Sequence, residues 1–178
     1  MKALAAALLV VVTACGQGKA IFNVDVYSFM AGSGKDRISY NIPPSSSASA
    51  STFQRILLPP GFGASIVDSV RITTGNANLN NSTGSGTVGF QLYFAADSAG
   101  TTTAAAALSV PATTVTGAQT VPVTITGDLG SVSALFVRDT VWMRITATGT
   151  NPSLTTPVIG EAVLTALVIR VVLQDKIF

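Results

Sequence analysis

Acid–base chemistry in this chain falls to eight carboxylates, because the sequence has no histidine. They are Asp25, Asp36, Asp68, Asp97, Asp128, Asp139, Glu161 and Asp175. Two of them roughly 5–10 Å apart would suffice for a carboxylate-dependent glycoside hydrolase. Asp68 is the unusual one. In the alternation of Ile66 to Thr73 it falls on the inward face with Ile66, Val70 and Ile72, where desolvation would raise its pKa. An arginine partner, or a β-bulge that turns it outward, is the more ordinary outcome. Asp97 or Asp128 with loop carbonyls would offer calcium the oxygen ligands it takes. No dense Asp/Asn loop supports such a site, and the Asn-rich stretch 76–81 holds no acid.

Other catalytic signatures are weaker. Gly32-Ser33-Gly34-Lys35-Asp36 has part of a phosphate-binding loop, but Phe29 and Asp36 stand where the motif needs glycine and Ser/Thr. A turn between two elements is the expected role. The single cysteine and the missing histidines exclude an internal disulfide, His-based triads, the usual zinc sites and paired-cysteine haem attachment. The sequence is read as non-enzymatic, with no cofactor and no metal.

Binding is better represented. Trp142 and Arg144 lie two apart, hence on one face of a strand, opposite Val141 and Met143. An exposed tryptophan beside an arginine is an anchor for a protein partner or a sugar ring. In the alternative, Trp142 packs inside and Arg144 covers it with its stem. Gln91 and Tyr93 extend the patch if their strand is adjacent. In the last strand, Leu164, Ala166, Val168 and Val172 form an apolar face behind the one made by Val163, Thr165, Leu167, Ile169, Val171 and Leu173. A strand apolar on both sides is covered on both sides. The cover is a second layer or a partner, so Leu164, Val168 and Val172 join Trp142 and Arg144 as candidate partner contacts.

The first fifteen residues carry an address. Lys2 is followed by the twelve apolar or small residues Ala3 to Ala14 and then by Cys15. A charged start, a short apolar core and small residues form an export signal. Twelve helical residues reach roughly 18 Å, short of the ~30 Å hydrocarbon core. Val12-Thr13-Ala14-Cys15 resembles the lipobox of bacterial lipoproteins. The resemblance implies lipid on the Cys15 sulfur, a mature chain starting there, and a location on the periplasmic side of a membrane or at the cell surface; a leader that is retained would itself be the membrane anchor, and an ordinary signal peptide with a chance cysteine at its end is the alternative. Gly16, not Asp, follows the cysteine, which in enteric-type bacteria would imply sorting to the outer membrane; inner and outer membrane stay open.

Composition sets the background. With Lys2 in the leader, nine basic residues face eight acidic ones, which argues against a nucleic-acid partner. Charged residues make up 10%, well under the ~25% of an average soluble domain. Such a surface is weakly protected against association.

Period-two alternation organises the rest. It is expected at Phe22–Val26, Ile38–Ile42, Phe53–Leu58, Ile66–Thr73, Val88–Phe94, Val121–Ile125, Val141–Ile145 and Glu161–Gln174, with extended structure near Thr113–Val115. Ser45 to Thr52 is expected to be a mobile loop and Gly75 to Gly86 a long polar connection. Ser131–Val137 is open between helix and strand. About nine short strands without a helical period predict an all-β, antiparallel, jelly-roll-like sandwich spanning residues 16–178 as one domain after the 1–15 leader. The functional expectation is a non-catalytic, membrane-anchored structural or accessory subunit of a larger membrane complex, for example respiratory or photosynthetic. A surface carbohydrate- or ligand-binding module is the alternative, and a two-carboxylate hydrolase the second alternative.

Overall fold

The computed structural model describes residues 19–60 and 65–174. The leader, Cys15 and Asp175 lie outside the described residues. Ten strands form two antiparallel sheets packed face to face. The first sheet is built from β1 (Lys19–Asp25), β2 (Arg37–Ile42), β4 (Ile66–Thr83), β7 (Gln119–Thr124), the two-residue β8 (Gly127–Asp128) and β10 (Val158–Gln174). The second contains β3 (Ser46–Leu57), β5 (Ser85–Ala95), β6 (Leu108–Thr116) and β9 (Thr140–Asn151). With the orders β1/β2-β10-β4-β7 and β3-β9-β5-β6, the chain from β2 to β10 changes sheet at every step except β5–β6 and β7–β8, the jelly-roll connectivity.

The alternation read from the sequence supplies the core. Val88, Phe90, Leu92 and Phe94 of β5 point inward, as do Val141, Met143 and Ile145 of β9. They meet Val70, Ile72, Leu79, Leu167, Ile169 and Val171 from the first sheet. Helix α1 (Val26–Ala31) plugs one side with Val26 and Met30. A 3₁₀ helix (Gly130–Val137) closes one end, where Phe136 tilts against Phe94 at 5.8 Å between ring centroids. The undecided segment Ser131–Val137 is therefore helical. Val26, expected in a strand, starts α1 because the Asp25 side chain accepts from Ser28 N and caps the turn.

Three expectations change. Ser45 to Thr52 is not a mobile loop. From Ser46 onward it is the first half of β3, paired residue by residue with β9. Its Ser-Ala composition conceals a period of two, with Ala48 and Ala50 packed on the core and Ser47, Ser49 and Ser51 exposed. Gly75 to Gly86 is not a long connection either. The 18-residue β4 runs through it, with Ala77, Leu79 and Asn81 inward and Asn76, Asn78 and Asn80 outward. Gly75 belongs there for a steric reason: a Cβ would stand 2.3 Å from the Ile125 carbonyl oxygen.

The third change is one of parity. Between Leu164↔Ala77 and Ala166↔Asn76, Thr165 is an extra residue in β10. Between Val172↔Ser69 and Leu173↔Val67, Asp68 is an extra residue in β4. Each β-bulge shifts the inward face by one residue. Leu164 therefore points into the core at 6% exposure, while Val163 and Thr165 face outward. The same shift turns Ile66 and Asp68 outward.

Candidate functional site

The second sheet brings the sequence-predicted binding residues together on its outer face. β5 and β3 both flank β9, so Tyr93 and Phe53 stand on either side of Arg144. Ala95 and Arg55 stand on either side of Trp142. Gln91 and Ser51 flank Thr146 one row further on. The adjacency required to extend the patch through Tyr93 and Gln91 is therefore present.

Arg144 is engaged inside its own fold. Its guanidinium carbon lies 3.7 Å from the Tyr93 ring centroid. Its Nε donates to the Thr101 carbonyl at 2.9 Å, and an Nη donates to the Thr146 hydroxyl at 3.0 Å. Tyr93 O–H in turn donates to Gln91 at 2.7 Å. Thr101 lies in the short helix α2 (Gly100–Thr103) and is fully buried. Arg144 thus ties the β5–β6 connection down onto the sheet, which occupies much of the charge that a partner would use. Trp142 is half-buried beside it.

Along the same face the character turns to hydroxyls. Ser47, Thr150, Thr87 and Thr114 form one cross-strand row. Thr87 and Thr150 share a hydrogen bond at 2.8 Å. A shallow hollow of about 770 Å³ opens there, lined by Ser46, Ser47, Thr87, Thr114, Thr150 and Asn151 among others. The face combines half-buried aromatic rings at one end with a hydroxyl-lined hollow at the other.

The outer face of the first sheet keeps two of the three apolar candidates. Val168 and Val172 are half-buried there, and Ile21, 53% exposed, pairs with Val172. Leu164 does not belong to that surface. Arg170 stands directly opposite Arg71 between these rows.

Six of the seven described carboxylates hold structural posts. Asp68 is exposed, pairs with Lys19 at 3.1 Å and is not a buried acid. Asp25 caps α1, and Asp97 and Asp128 accept from the backbone N–H groups of Gly100 and Gly130. Glu161 binds Arg37 at 3.2 Å, and Asp36 approaches the same guanidinium at 3.9 Å. Among the described residues, no group of three His, Cys, Asp or Glu is placed to hold a metal ion. The Gly32–Lys35 stretch is a turn, with Lys35 N donating to Met30 O.

The sequence did not point to the buried amides. Asn81 Nδ2 donates to the carbonyls of Thr83, Gly84 and Gly117, and its Oδ1 accepts from Tyr40 O–H. Asn151 Nδ2 donates to Ile42, Pro43 and Thr156. These two side chains fasten the loops at one end of the sandwich. Burial pushes the Tyr40 phenol up to about 12.

No protein-family model matches the chain, and no curated protein matches it. Among solved structures it is similar to the "Structure of infectious bursal disease virus Gx strain", at a TM-score of 0.46 and 8% identity over 90% of this chain and 33% of that one. The chain spans about a third of the length of that protein.

Proposed function

We propose that this protein is a non-catalytic, exported β-sandwich held at the periplasmic or outer face of a bacterial membrane through lipid on Cys15. It serves there as a structural or accessory subunit of a larger assembly. The observation that carries the reading is the Val12-Thr13-Ala14-Cys15 box at the end of a charged, apolar leader, with the chain's only cysteine at its close. Two features support it. The charged fraction is low, which suits a protein that works against neighbours. Six of the seven described carboxylates, Asp25, Asp36, Asp68, Asp97, Asp128 and Glu161, are taken up by caps, turns and ion pairs, and Asp139 is exposed.

Expression in a bacterium fed a labelled fatty acid tests this. The wild-type chain should carry the label and sediment with membranes, and Cys15→Ala should lose both. Gentle membrane solubilisation followed by mass spectrometry should recover stoichiometric companions. An unlabelled, freely soluble wild-type chain overturns the proposal.

A second reading is favoured by the face that carries Phe53, Trp142 and Tyr93 beside the hydroxyl-lined hollow: a surface module that binds carbohydrate. Trp142 is the only tryptophan, so its fluorescence reports on that face directly. Saturable quenching by an oligosaccharide would support this reading, and a flat response across a sugar panel would remove it.

A further inference from the structure

Among the described residues, three of the four sheet edges carry a guard against strand pairing. β6 has Pro111 and an irregular register between Val88 and Phe90 of its partner, and β7 has Pro122. The β1/β2 edge has Lys19, Asp25 and Arg37. Proline, charge and bulges are the devices that keep edges from templating other chains. Among the described residues the fourth edge, β3, pairs with β9 alone and has no register shift. From Ser46 to Gln54 it contains neither proline nor charge.

The direction of its peptide groups follows from two contacts. Leu58 N donates to Asp139 O on the β9 side, which continues the Leu57↔Thr140 register. Residues of even number in β3 therefore bond to β9, and those of odd number turn N–H and C=O away from it. In agreement, the Arg55 carbonyl is reached by the Gln54 side chain. The free part of the edge is bounded by Pro44 at one end and by the Ser33–Gln54 hydrogen bond at the other. Ser47, Ser49 and Ser51 lie between, exposed.

We infer that a second copy of this chain pairs with this edge, antiparallel, about a two-fold axis at Ser49. That register sets Ser49 opposite Ser49 of the copy and Ser47 opposite Ser51, giving about six inter-chain backbone hydrogen bonds. The segment is compatible with itself. It places no like charges in opposition, sets small hydroxyls against hydroxyls on the outer face, and sets Ala48 against Ala50 on the inner one. Arg55 falls outside the paired span. Leu154 follows Ser153, whose carbonyl accepts from Ser45 N. Leu154 is 84% exposed. Two four-stranded sheets would join into one of eight. This goes beyond the proposed function and holds whether or not Cys15 carries lipid.

Sedimentation of the full chain in mild detergent tests it. The wild type should form a dimer as concentration rises. Ser49→Lys and Ser49→Glu should each weaken self-association by more than about tenfold, because like charges meet on the axis. Mixing the two variants should restore the dimer. Ser49→Pro should also give a monomer with unchanged circular dichroism, since only an outward N–H is lost. A monomeric wild type, or a dimer indifferent to these substitutions, overturns the inference. So does a failure of the mixed variants to pair, which would point to another occupant of the edge.

Discussion

Arg144 stacks its guanidinium 3.7 Å from the centre of the Tyr93 ring while donating to the buried Thr101 carbonyl. The side chain that looked most like a free anchor is a brace between β9, β5 and α2. Arg144→Ala should destabilise the fold by about 2 kcal/mol, from a partly desolvated cation–π contact and the hydrogen bonds it leaves unmade. Arg144→Lys should recover only part of this, because an ammonium cannot stack and fork in the same way. Urea unfolding of the two variants checks both statements.

Tyr40 gives the fold an alkaline limit. Its folded pKa, raised to about 12 by burial, lies above the unfolded value of 10.0. The neutral phenol is thus favoured by folding. The contribution is fully present below pH 10 and is lost as pH rises through the folded pKa near 12. The loss is on the order of 2 kcal/mol. Unfolding curves between pH 9 and pH 12, run on the wild type and on Tyr40→Phe, should diverge in slope over this window.

Asn81 is a costly polar side chain to remove. One buried amide nitrogen serves the carbonyls of Thr83, Gly84 and Gly117, the last at 2.6 Å. Asn81→Ala leaves these unsatisfied and should cost about 3 kcal/mol. Asn81→Asp should be at least as damaging, because a carboxylate would face carbonyl oxygens. Thermal melts would rank the two, and a change under about 0.5 kcal/mol for either would contradict this account.

The bulge at Thr165 makes neighbouring apolar residues unequal. Leu164→Ala should cost about 2–4 kcal/mol as a core truncation. Val168→Thr, on the half-exposed outer face, should stay within about 1 kcal/mol. Equal costs would mean that the parity of β10 is not as described.

A steric prediction concerns Gly75. An alanine there would drive its Cβ into the carbonyl of Ile125, whose own N–H donates to Gly75 O at 2.8 Å. Backbone cannot yield as a side chain would. Gly75→Ala should therefore cost roughly 2 kcal/mol or more, seen as a lower denaturation midpoint.

How much was legible varies by element. β5 and β9 could be read directly, because large apolar residues alternate there with polar ones and one face is simply buried. β3 was written in the same period, but with Ser and Ala. Their small contrast in hydrophobicity hides alternation that pairing with β9 makes plain. The Asn-rich half of β4 reads as a loop because asparagine disfavours strands, yet Ala77 and Leu79 find a core and Asn81 finds three carbonyls. The outer-face patch was half legible: spacing placed Trp142 with Arg144, but strand order had to bring Tyr93 beside them.

By itself, the sequence determined the fold class, the inward faces of the strongly alternating strands and the chemistries that lack their residues. These follow from side-chain type and a backbone period of two, both local properties. Only the tertiary structure decided the parity of Leu164 and Asp68, the engagement of Arg144 and the edge that Ser49 occupies among the described strands. A bulge, a cross-strand neighbour and an unpaired edge are properties of two strands together, and no single stretch of residues encodes them.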